Sequence, residues 1–178
     1  MRRLDDILEN INSSIAQNLK LPKVVYYREA ALQQKDDKTF PMVSGGNRKG
    51  TQISPNSNIA LQAYHRVLSS ETETDYSRGK GRYPYKMRTY TIKMVWIGSI
   101  AKLQTKSYET NDDVKNDVYA AFPTVLKNKE LVRSVNENIN KTDILSDEFS
   151  GNQINHLNLD LIIFTIDYEI KQNIKCNG

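Results

Sequence analysis

Cysteine is nearly missing from this chain of 178 residues, and the only one, Cys176, stands close to its end. A lone thiol closes no internal disulfide, so nothing points to an oxidising compartment, and an intracellular origin is expected. Glycine and proline are scarce, at eight and five residues, which excludes collagen-like and low-complexity classes. The longest apolar run, Leu161-Ile162-Ile163-Phe164, is far shorter than the roughly 20 residues a membrane helix needs, so no membrane partner is expected. Met1-Arg2-Arg3-Leu4-Asp5-Asp6 is followed by no apolar stretch of the kind a secretory signal requires. GxSxG, HExxH and CxxC motifs do not occur.

What is present is an ordinary apolar share of 38% under a polar surface, with a mean hydropathy of −0.62. That suffices for one core, and a single domain over 1–178 is expected, with extended loops at 44–58 and 70–88 and a flexible tail from about 172. The net charge of +4 is unevenly spread. Between Tyr76 and Tyr108 lie eight Lys or Arg and no acid, whereas the rest of the chain carries 17 bases against 21 acids.

Apolar residues at Leu4, Ile7, Leu8, Ile11, Ile15 and Leu19 recur at helical spacing, with Asp5, Asp6 and Glu9 near the positive end of the dipole and Pro22 as a stop. "KVVYYREA" reads as a short strand, "QQKDDKT" as a polar turn and "FPMVS" as a strand near an edge because of its proline. "NIALQAYHRVLS" alternates and is read as a strand. After a polar tip at 70–85, Tyr90, Ile92, Met94 and Trp96 line one face of a strong strand, so the two segments make a long hairpin. "TNDDVKNDVYAAF" is a helix capped by Thr110 or Asn111 and ended by Pro123. Residues 127–157 are the least legible, with "ELVRSVNENI" open to helix or twisted strand. "LDLIIFTIDYEIK" is a strand with Ile162, Phe164, Ile166, Tyr168 and Ile170 on one face. The fold class is therefore α+β, a mainly antiparallel sheet with a long β-hairpin and two helices packed on one face.

Four candidate sites follow from residue type. In "SGGNRKGTQ", Gly45 and Gly50 have the spacing of a phosphate-binding loop, but Lys49 precedes the second glycine and Thr51-Gln52 follows it. A phosphate loop needs the lysine after that glycine, so Arg48 and Lys49 are read as loop contacts to a partner. In "YSRGKGRYPYKMR", Arg78, Lys80, Arg82, Lys86 and Arg88 alternate with Tyr76, Tyr83 and Tyr85. Cations interleaved with stacking rings suit single-stranded nucleic acid, but docking on an acidic protein is the preferred reading. The acid pairs Asp5-Asp6, Asp36-Asp37, Asp112-Asp113 and Asp147-Glu148 are adjacent in sequence, so their side chains diverge and make no metal site by themselves. His65 and His156 share no motif with Cys176 or a serine, and His65 is read as a strand residue. No catalytic, metal or cofactor residues are assigned, and an enzyme is not expected.

The order of "LDDILENINSSIAQNL", "FPMVS", the hairpin ending in "RTYTIKMVWIG", "NDDVKNDVYAAF" and "LIIFTIDYEI" resembles the small neck and tail-completion proteins of tailed bacteriophages, the tail-terminator-like group. Richness in Asn, Lys and Ile fits a low-GC genome, such as those of crAss-like phages. Residues 127–157 depart from the compact pattern of that group. The resemblance implies a structural virion protein at the head–tail interface, made in the bacterial host cytoplasm. It implies a homo-oligomeric ring, on the order of six or twelve copies. The ring would join portal, other neck or ring and tail proteins, with possible contact to genomic DNA in the channel.

Overall fold

In the computed structural model the described residues are 4–19, 21, 24–44, 50–54, 59–75, 85–103, 108–123, 131–150 and 160–174. They form an α+β structure in the order α1 (Leu4–Asn18), β1 (Val24–Lys35), β2 (Lys38–Val43), β3 (Thr51–Gln52), β4 (Leu61–Asp75), β5 (Tyr85–Ser99), α2 (Ile100–Leu103), α3 (Asn111–Ala121), β6 (Leu131–Asn138), α4 (Lys141–Phe149) and β7 (Leu161–Ile174). The strands make one mixed sheet ordered β3-β2-β1-β4-β5-β7-β6, in which only the β1–β4 pair is parallel.

Side chains that alternate along a strand reach opposite faces, and both faces here are covered. On one, Ile7, Leu8, Ile11 and Ile15 of α1 and Val114 and Val118 of α3 meet Ile92, Met94 and Trp96 of β5 and Phe164, Ile166 and Tyr168 of β7. Each such aliphatic side chain contributes about 2 kcal/mol on burial. Trp96 stacks on Phe164 at 5.8 Å between ring centres, with Tyr26 edge-on at 5.7 Å. On the opposite face Ile144, Leu145 and Phe149 of α4 pack against Tyr64, Val95, Ile97 and Ile163. The two helices expected on one face are α1 and α3; α4 corrects that expectation by covering the other face.

Several local readings hold. Of the two cap candidates, Thr110 caps α3 through a reciprocal capping box with Asp113; Asn140 caps α4, a helix the sequence reading did not name. Within "ELVRSVNENI", Leu131–Asn138 is strand, bulged between Ser134 and Asn136, which breaks the simple alternation. Other readings are corrected. The turn between β1 and β2 shrinks to Asp36-Asp37, both at positive φ (51° and 59°), because a two-residue hairpin turn needs left-handed backbone at both central positions. β4 and β5 run through 70–75 and 85–88, which read as loop. β7 continues to Ile174 with Gln172 buried, past the start of the expected tail. At Gly98 an added Cβ would fall 2.3 Å from the Ala60 carbonyl oxygen, so β4 and β5 approach there as only glycine permits.

Candidate functional site

The sheet forks at His65. β1 runs beside β4 from Val24↔Leu61 to Glu29↔His65, with an irregularity after Tyr26, and then turns away to pair with β2. From Arg66 to Asp75 the outer side of β4 has no ladder partner among the described residues, while its inner side stays paired with β5. Every residue from Leu68 to Thr74 is exposed. This half of β4 is therefore an edge strand with both faces bare, held by a single ladder.

Three successive residues anchor β4 just before it projects. On the α1 face His65 is fully buried, its Nε2 2.8 Å from Asn12 Oδ1 and its Nδ1 2.8 Å from the Tyr168 hydroxyl. Asn12 Nδ2 donates to the Tyr27 carbonyl at 3.0 Å, so Oδ1 faces the ring and Nε2 carries the proton. The chain of donors runs Tyr168 to His65 to Asn12 to Tyr27 and ties β7, β4, α1 and β1 together. Burial pushes the His65 pKa down to about 3, so the ring is neutral. On the α4 face Glu148 is fully buried and accepts from the Tyr64 hydroxyl at 2.9 Å and from the Arg66 guanidinium. Burial, then the Glu148 charge, raises the Tyr64 hydroxyl well above its ordinary range.

The projecting arm separates charge. Leu68 is an extra residue on β4, since Val67 opposes Ile92 and Ser69 opposes Thr91. Counted straight from His65, Glu71 and Glu73 would share the α1 face. Because of the bulge, Thr72 and Thr74 take that face, opposite Arg88 and Lys86, and Glu71 and Glu73 take the α4 face. Arg88 donates to Thr72 Oγ1 at 3.2 Å and lies 6.0 Å from the centre of the Tyr90 ring, which holds its charge on the α1 face. One side of the ribbon is thus cationic and the other anionic.

Of the sequence-predicted contact residues, Lys86 and Arg88 lie on β5, as does the backbone of Tyr85. Tyr76, Arg78, Lys80, Arg82 and Tyr83, together with Arg48 and Lys49, lie outside the described residues. Glu71 and Glu73 were missed because the sequence reading took 70–85 as an undivided tip; the signal was the strict alternation in "ETETD". A half-open cleft of about 640 Å³ separates the start of α1 from β1, lined by Asp5, Tyr26, Tyr27, Arg28 and Glu29 among others. Burial and then the nearby Asp5 raise the Glu29 carboxyl, and Arg28 is engaged by Glu9 at 2.7 Å. Among the described residues no three His, Cys, Asp or Glu side chains converge as a metal set, and no helix is long and apolar enough to cross a membrane.

Compared with known proteins, the chain matches no protein-family model and no curated sequence.

Proposed function

We propose that this protein is a structural subunit that assembles with copies of itself, and that it forms a ring in the neck or tail-completion region of a tailed bacteriophage, between portal-side and tail-side components. The observation that carries the assembly reading is the arm: a ribbon whose β4 strand is exposed, anchored at its root on both faces, with half-buried Lys86 and Arg88 on one side and exposed Glu71 and Glu73 on the other. A surface with both signs complements itself when copies repeat in one direction, and such head-to-tail contact closes into rings. The phage context comes from the sequence resemblance, and the tail-terminator-like fold is part of the same proposal. The role is binding and geometry rather than catalysis.

Light scattering and electron microscopy of the purified chain test this reading. Closed rings that loosen as salt rises are the expected result; a monomer at every concentration and ionic strength would overturn it.

A second reading is favoured by Arg88 and Lys86 on one face of the ribbon, a cationic strip that suits the phosphates of single-stranded nucleic acid, although the Tyr90 ring beside them is buried and offers no stacking face. Glu71 and Glu73 on the back of the same ribbon weaken its field, so protein docking is preferred. Under the nucleic-acid reading, Lys86→Ala with Arg88→Ala lowers affinity for a single-stranded oligonucleotide and reduces its salt slope by about two. Unchanged titrations for that pair would remove this reading.

A further inference from the structure

We infer that the bare edge of β4, Arg66–Asp75, receives β6 of a second copy, so that successive copies continue one sheet. This rests on the assembly reading and specifies where the copies join. An unpaired strand edge is a row of free N–H and C=O groups that templates another strand. Besides the β3–β2 end of the order and the side of β1 that the fork leaves, the described sheet offers two such edges: β4 beyond His65, and the outer side of β6, the last strand in the order. Within one copy β5 and β7 stand between them, a separation of roughly 14 Å at ordinary strand spacing, so they can meet only between copies.

Direction, height and charge agree. β4–β5, β5–β7 and β7–β6 are all antiparallel, so β6 runs opposite to β4. Copies related by rotation therefore bring β6 antiparallel to the next β4, with the sheet facing the same way. The cross-strand rows from Leu131↔Lys171, Lys171↔Thr89 and Thr89↔Glu71 to Asn136↔Asp167, Asp167↔Lys93 and Lys93↔Arg66 put Leu131–Asn136 of β6 level with Glu71–Arg66, the first part of the open edge of β4. Arg133 shares the α4 face with Glu71 and Glu73, so in the continued sheet Arg133 of one copy comes diagonally beside Glu71 of the next.

Proline scanning and charge reversal test the join. Adjacent residues of a strand point their N–H groups to opposite edges, so of Ser69→Pro and Ser70→Pro, both within the span level with β6, one breaks the β4–β5 ladder and the other removes only an outward donor. The variant that keeps the wild-type melting temperature is expected to self-associate at least tenfold more weakly in sedimentation. Arg133→Glu is expected to do the same, and adding Glu71→Arg with Glu73→Arg to restore association. A wild-type assembly unaffected by the fold-preserving proline, or a reversal that fails to rescue, overturns the join while leaving assembly intact. A wild-type chain that never associates overturns assembly itself.

Discussion

Tyr64, His65 and Arg66 each send a polar group into the interior, and the energetics of that choice can be measured. Removing one partner of a buried hydrogen bond leaves the other unsatisfied at about 1–3 kcal/mol. Asn12→Ala, which strands His65 Nε2–H and frees the Tyr27 carbonyl, is expected to cost toward the upper end of that range in urea unfolding. Glu148→Ala leaves Arg66 unpaired beside the core and is expected to destabilise by about 3 kcal/mol, whereas replacing both partners with apolar residues should cost less. His65 also sets an acid limit. Its folded pKa of about 3 lies below the ordinary 6.5, so the unfolded chain takes up the proton first as pH falls. Its contribution is complete above pH 6.5 and declines by about 1.4 kcal/mol per unit from there toward pH 3. Unfolding free energies at pH 7 and pH 5 should differ by about 2 kcal/mol from this group, and His65→Gln should flatten that slope. The sequence exposed Asn12 as a polar residue inside an apolar helical stripe and His65 as part of an alternating strand. It could not show that the two meet, because residues 53 apart are joined only by tertiary packing.

At the scale of elements, legibility followed length and regularity. α1, β5 and β7 were readable because many residues repeat one period, and each apolar face named from the sequence is a buried face in the fold. α4 was not, since nine residues with three large buried apolar side chains span too few turns to reveal a period. The bulge at Leu68 was equally hidden: one extra residue reverses every later assignment of face. That reversal gives a test without change of composition. Exchanging Glu71 with Thr72 and Glu73 with Thr74 puts carboxylates opposite Arg88 and Lys86. The hairpin should gain about 0.2–1 kcal/mol from each new cross-strand pair, while self-association loses its salt dependence and weakens. A swap variant that assembles as before would show that charge segregation is irrelevant to the contact. Thr110→Ala should cost about 1 kcal/mol by opening the α3 capping box.

For the whole molecule, the proposed join gives the forked sheet and the uneven charge one explanation in common: a strand half that no described part of its own chain covers would be completed by the next chain. Amide hydrogen exchange of the full-length protein, measured at concentrations below and above assembly, tests this most directly. Protection is expected to appear on association at 66–71 and 131–136 together, with the strand pairs inside each copy unchanged. Exchange at both edges that stays as fast in the assembled state as in the monomer would contradict it.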